Sequence, residues 1–140
     1  MNMNRIEKIT DKNGILAIII RNEFEKDGIE FFTPGEFSQQ LAYMKHEAGH
    51  KIQEHVHVLQ RRDINYTLET LFVKKGRVRI NFFTGDQEYF CSRELKSGDV
   101  ILLASGGHGF EFLEETEMFE VKQGPYSSDK DKVRFEGKIP

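Results

Sequence analysis

The sequence predicts an all-β protein of one domain, and three observations carry that expectation. Its apolar runs are short and rich in Ile, Val and Phe, as in Ile15–Ile20 and Val100–Leu103. Turn-forming pairs recur between them: Asn13-Gly14, Asp27-Gly28, Pro34-Gly35, Lys75-Gly76, Gly85-Asp86 and Gly98-Asp99. The length of 140 residues, 38% of them hydrophobic and 31% charged, suits one core and not two.

Taken in order, residues 1–14 are polar and close on the Asn13-Gly14 turn, and Ile15–Ile20 reads as a buried strand. Ile29–Thr33 is a short strand stopped by Pro34-Gly35, and Gln40–His46 is the next. After the Ala48-Gly49 turn, Lys51–Val58 is expected to be extended, and the polar stretch Gln60–Asn65 to be a loop. Leu68–Val73 and Arg77–Phe83 are strands joined at Lys75-Gly76, the second with Val78, Ile80 and Phe82 on one face. Thr84-Gly85-Asp86 is a hairpin connection to Gln87–Ser92, and Glu94–Asp99 is a polar turn before Val100–Leu103. Phe110–Leu113 and Met118–Lys122 are the last strands. Many short strands punctuated by turns indicate a sandwich or barrel over residues 1–126. Residues 127–140 form a charged C-terminal tail that starts Ser127-Ser128-Asp129-Lys130 and has Val133 and Phe135 as its first apolar anchors. Phe72, Phe82, Phe90, Phe110, Phe112 and Phe119 are expected mostly in the core.

Composition narrows the partners. A net charge of −3 offers no basic footprint for nucleic acid. The run Lys74, Lys75, Arg77, Arg79 flanks a turn and alternates with Val78 and Ile80, as a solvated strand face does. Cys91 is the sole cysteine, so neither an intramolecular disulfide nor a cysteine-based zinc cluster is available. Ile15–Ile20 is too short for a secretion signal or a bilayer span, which leaves a cytoplasmic location and no membrane partner as the expectation.

Chemistry concentrates between Gly49 and Gly76. On an extended chain His55 and His57 project to one face. Glu69 from the next strand and His108 from the Gly106-Gly107-His108-Gly109 run would complete a mixed nitrogen and oxygen site for one divalent metal ion. Neutral imidazole and carboxylate suit Fe, Mn, Ni, Co or Zn without choosing among them. A rival lies just upstream: His46-Glu47-Ala48-Gly49-His50 satisfies H-E-x-x-H, which on a helix would place two histidines on one face with Glu47 as the base of a zinc peptidase. Leu41, Met44, Ala48, Ile52, Val56 and Leu59 carry the helical spacing that this needs, but Gly49 opposes it. Glu120 and Lys122 alternate with Phe119 and Val121, so their face is solvated or, if interior, presents Glu120 as a pocket acid. Phe112 and Tyr126, which follows Gly124-Pro125, are further pocket candidates.

Gly49, His55, His57, Glu69 and Gly76 together resemble the first conserved motif of the cupins: glycine, an HxH pair, glutamate and a closing glycine. Eleven residues separate His57 from Glu69, longer than the usual gap. The second cupin motif is matched at Gly98 and Gly106, with Ala104 where proline is usual, His108 one residue early and Phe112 where asparagine is expected. The resemblance spans residues 49–112. It implies a double-stranded β-helix, or jelly-roll barrel, with His55, His57, Glu69 and His108 as metal ligands and a small-molecule ligand or substrate. It is similar to small bacterial one-domain cupins, some of carbohydrate or cell-surface polysaccharide metabolism, and many of these are homodimers. Cupins include isomerases, epimerases and dioxygenases as well as non-catalytic binding or sensing modules, so enzyme and binding module both stand open.

Overall fold

The computed structural model describes residues 5–128 and 130–140; the first four residues of the expected polar start, and Asp129 of the expected tail, lie outside the described residues. Among the described residues there are ten strands and no helix, and so none long and apolar enough to cross a membrane. The chain divides into two compact units, Met1–Phe24 with Tyr66–Pro140, and Glu25–Asn65.

The larger unit has two antiparallel sheets. The first contains β1 (Ile6–Asp11), β2 (Gly14–Ile20), β8 (Val100–Leu103), β5 (Glu69–Lys75) and β10 (Glu117–Lys122), in that order. The second contains β7 (Tyr89–Lys96), β6 (Arg77–Phe83) and β9 (Gly107–Phe112). Neither sheet closes on itself. Period-two alternation decides which side chains meet between them. Ala17, Ile19, Leu71, Val73, Ile101 and Leu103 from the first sheet share one buried cluster with Val78, Ile80, Phe82 and Leu95 from the second. Phe82, Ile80 and Ile101 are almost wholly excluded from solvent, and each such burial stabilises by about 1.5–3 kcal/mol.

Where the apolar pattern was strong, the expected strands are present. Three differences have physical causes. β1, inside a stretch read as polar, is an edge strand that buries only Ile9 and holds its place by pairing with β2. β7 runs on through Lys96, because Arg93, Glu94 and Leu95 pair with Ile80, Arg79 and Val78. Among the aromatics expected in the core, Phe82 is buried and Phe110 packs against the cluster, whereas Phe72, Phe90, Phe112 and Phe119 are exposed. Phe72 and Phe119 are a cross-strand pair on the face opposite Leu71 and Met118, so alternation overrides aromatic preference there.

The connection from β7 to β8 is fixed by Asp99, whose side chain is fully buried. Its carboxylate accepts from the backbone N–H of Asn22 at 2.8 Å, from the N–H of Lys96 at 2.8 Å and from Arg21 Nη1 at 3.2 Å. Gly98 beside it has φ of 89°, and a Cβ there would lie 2.2 Å from Asn22 Oδ1, so only glycine fits.

The smaller unit contains the antiparallel pair β3 (Gly28–Phe31) and β4 (Ala42–Lys45). Gln40 ties their connection, donating from Nε2 to the carbonyls of Pro34 at 2.9 Å and Phe37 at 2.8 Å. Residues 46–65 contain no strand. The extended strand expected at Lys51–Val58 is therefore corrected: Val56 and Val58 are 87% and 79% exposed, and this stretch has no ladder partner. A strand is stabilised by its neighbours, and alternation alone does not supply one.

Candidate functional site

Glu69 opens β5 on the same face as Leu71 and Val73, and so points toward the space between the sheets. His108 is on β9 opposite Phe82, and shares that strand's inward face with Phe110. Gly106 makes this placement possible. Its φ of 70° turns the chain into β9, and a Cβ there would fall 2.4 Å from the Phe83 carbonyl oxygen. The two side chains then meet, His108 Nε2 lying 3.3 Å from Glu69 Oε2. Both are mostly shielded, at 28% and 16% exposure. The hydrogen bond from His108 holds the Glu69 carboxyl below its ordinary pKa, against an opposing push from burial. The His108 ring also stands edge-on to Phe110, 5.5 Å between centroids.

Three further polar residues occupy the same end of the sandwich. Lys122 is the cross-strand partner of Glu69, and its Nζ donates to Asp131 Oδ2 at 3.0 Å. The Thr67 hydroxyl donates to Asp131 Oδ1 at 3.0 Å. The bonds from Lys122, first, and from Thr67 hold the Asp131 carboxyl below its ordinary pKa, and the same contact with Asp131 raises that of Lys122. Tyr126, itself exposed, presents its ring 5.8 Å from Lys122 Nζ.

The other candidates are distributed as follows. Glu120 shares the face of Met118 and Lys122, the inward one, yet is exposed because β10 is an edge strand. Phe112 is 59% exposed and four residues along β9 from His108, roughly 13 Å at strand rise. His55 and His57 belong to the smaller unit, exposed, with ring centroids 5.3 Å apart and His55 Nδ1 2.9 Å from the Gln53 carbonyl. His46 and His50 stack at 4.0 Å across a turn closed by His50 N–H to the Glu47 carbonyl at 3.2 Å. The helix that the H-E-x-x-H arrangement requires is absent there. Cys91 borders the core as a free thiol with its pKa raised by burial.

No protein-family model, no curated protein and no solved structure matches this chain.

The donor chemistry of Glu69 and His108 fits a divalent cation, but the number gathered falls short. Among the described residues no group of three or more His, Cys, Asp or Glu side chains is assembled to hold a metal ion, whereas protein metal sites of this donor type use three or four ligands. Three residues here have no signal in the spacing. Thr67 and Lys122 carry no motif, and Asp131 lies in a charged stretch whose composition signals only solvation.

Proposed function

We propose that this chain is a small cupin-like protein that binds a small polar molecule at the end of the β-sandwich where Glu69 meets His108. The observation that carries the proposal is that carboxylate and imidazole, from different sheets, are brought to 3.3 Å and largely shielded from water. The antiparallel sheets and their non-sequential neighbours, β2 with β8, β5 with β10 and β6 with β9, support a jelly-roll kinship. In this reading one divalent ion (Fe, Mn, Ni, Co or Zn) is held by Glu69 and His108 with His55 and His57, the two histidines being assigned by the motif resemblance alone. Such an ion would supply Lewis-acid or oxygen-activating chemistry toward the substrate, a sugar derivative in this reading. Glu69 and His108 would orient the ligand and exclude water from it. A cytoplasmic homodimer belongs to the same proposal, and light scattering reads the dimer directly.

The test is elemental analysis of the purified protein and of protein incubated with each metal, beside a Glu69→Gln, His108→Ala variant and a His55→Ala, His57→Ala variant. Near-stoichiometric metal in the wild type and its loss in both variants is the expected result. Loss in neither would discard the metal reading.

A second reading, a binding module without chemistry, is favoured by Lys122, Thr67 and Asp131 at the same end, since hydroxyl and ammonium groups are recognition groups. Saturable ligand binding with no turnover over a broad panel of small polar substrates distinguishes it.

A further inference from the structure

The C-terminal segment crosses the end of the sandwich that holds Glu69 and His108. Asp131 is fixed to Thr67 and Lys122, on the side of the first sheet. Phe135, four residues on, stands edge-on to Phe83 at 5.2 Å between centroids, and lies so close to Gly107 that a Cβ there would be 2.8 Å from its ring. Phe83 and Gly107 are partners in the second sheet, next to the Phe82–His108 pair. The tail thus reaches both sheets at the level of the Glu69–His108 contact.

Each oxygen of Asp131 has its own donor, one hydroxyl and one ammonium, both at 3.0 Å, and the carboxylate is only 16% exposed. Two donors of the kind that bind a carboxylate thus converge, and the chain's own side chain lies between them. The surrounding charges are mixed. Lys122 also feels Glu69 and Glu120, and Asp131 opposes the ionisation of Glu69. An anion is nonetheless held there, so the local field accepts one.

We propose that Thr67 and Lys122 form a carboxylate-binding subsite, that Asp131 occupies it as an internal plug, and that a small carboxylate ligand enters beside Glu69 and His108 by displacing the Asp131–Phe135 strap. This names the ligand class for the site proposed above and rests on that site's position, but it needs no metal. The strap then sets affinity as well as access, because the ligand binds only the fraction of molecules in which Asp131 has withdrawn.

The experiment is chemical rescue, run with a chelator present so that its outcome is independent of metal. Acetate should raise the Tm of Asp131→Gly saturably, beyond sodium chloride of equal ionic strength. It should have no such effect on the Lys122→Met, Asp131→Gly double variant. Equal shifts in the single and double variants would overturn the proposal, as would phosphate rescuing as well as acetate. If Asp131→Gly does not fold, Asp131→Asn serves: succinate should bind it roughly tenfold or more tightly than it binds the wild type. Unchanged or weaker succinate binding by Asp131→Asn would overturn the proposal equally.

Discussion

Glu69 and His108 join the two sheets of the sandwich through a contact of 3.3 Å between side chains that are 39 residues apart in sequence. Each comes from a strand whose other inward residues are apolar, Leu71 and Val73 on one side and Phe110 on the other. The polar pair therefore replaces apolar packing at one end of the core, where its hydrogen bond offsets desolvation.

This contact sets a pH dependence. The Glu69 carboxyl is held below its ordinary value of 4.5, chiefly by the bond from His108. A depressed folded-state pKa adds stability above the unfolded value, and that contribution is lost as pH falls through the depressed one. Glu69→Gln should thus be less stable than the wild type near neutrality, by about 1 kcal/mol for a charge-assisted bond. The gap should begin to narrow as pH falls below the ordinary value of 4.5. It should close once pH has passed through the depressed folded value, where the wild-type carboxyl also becomes neutral. Urea unfolding at several pH values measures it, and a gap that stayed constant down to acid pH would show that the charge contributes nothing.

Asp99 is the residue on which the β7–β8 connection depends. Asp99→Ala removes the acceptor for two backbone N–H groups and Arg21. Leaving a buried partner uncompensated costs about 3–5 kcal/mol, and the partial exposure of Arg21 places the loss toward the lower figure. Chemical denaturation should show about 3 kcal/mol with an unchanged m-value.

Phe82 tests the core itself. It is 1% exposed and lies between Val78, Ile80 and the facing sheet. Phe82→Ala should destabilise by about 3–5 kcal/mol. The comparison is Phe119→Ala, a residue 61% exposed on the opposite face of its own sheet, which should cost far less. Similar losses would mean that Phe119 is covered in solution.

The strands of the sandwich were legible wherever burial imposed alternation, as at Val78, Ile80 and Phe82, or a continuous apolar run, as at Ile15–Ile20. The turns were legible because Gly76, Gly98 and Gly106 have backbone conformations that side chains resist. Position along the chain could not show which strands would find partners. His55-Val56-His57-Val58 alternates as well as any strand, yet alternation records a face and not a neighbour. The Glu69–His108 half of the candidate site followed from motif order. Asp99 was hidden inside a turn of polar residues, where a buried carboxylate and a solvated one look alike in sequence. Asp131 was hidden by composition in the same way, since only the fold reveals that Lys122 and Thr67 converge on it.

The exposed histidines separate stability from ligation. His55 and His57 are exposed, their ring centroids 5.3 Å apart, so the His55→Ala, His57→Ala variant without metal should unfold within about 0.5 kcal/mol of the wild type. If the proposed metal site is right, adding the bound ion at 100 times its dissociation constant should stabilise the wild type by about 2.7 kcal/mol. The variant should gain much less, because Glu69 and His108 supply only two donors. Thermal melts with and without each metal read both quantities. A wild type and a variant stabilised equally would assign the ion to other residues, and a wild type unmoved by every metal would leave Glu69 and His108 as an organic-ligand site.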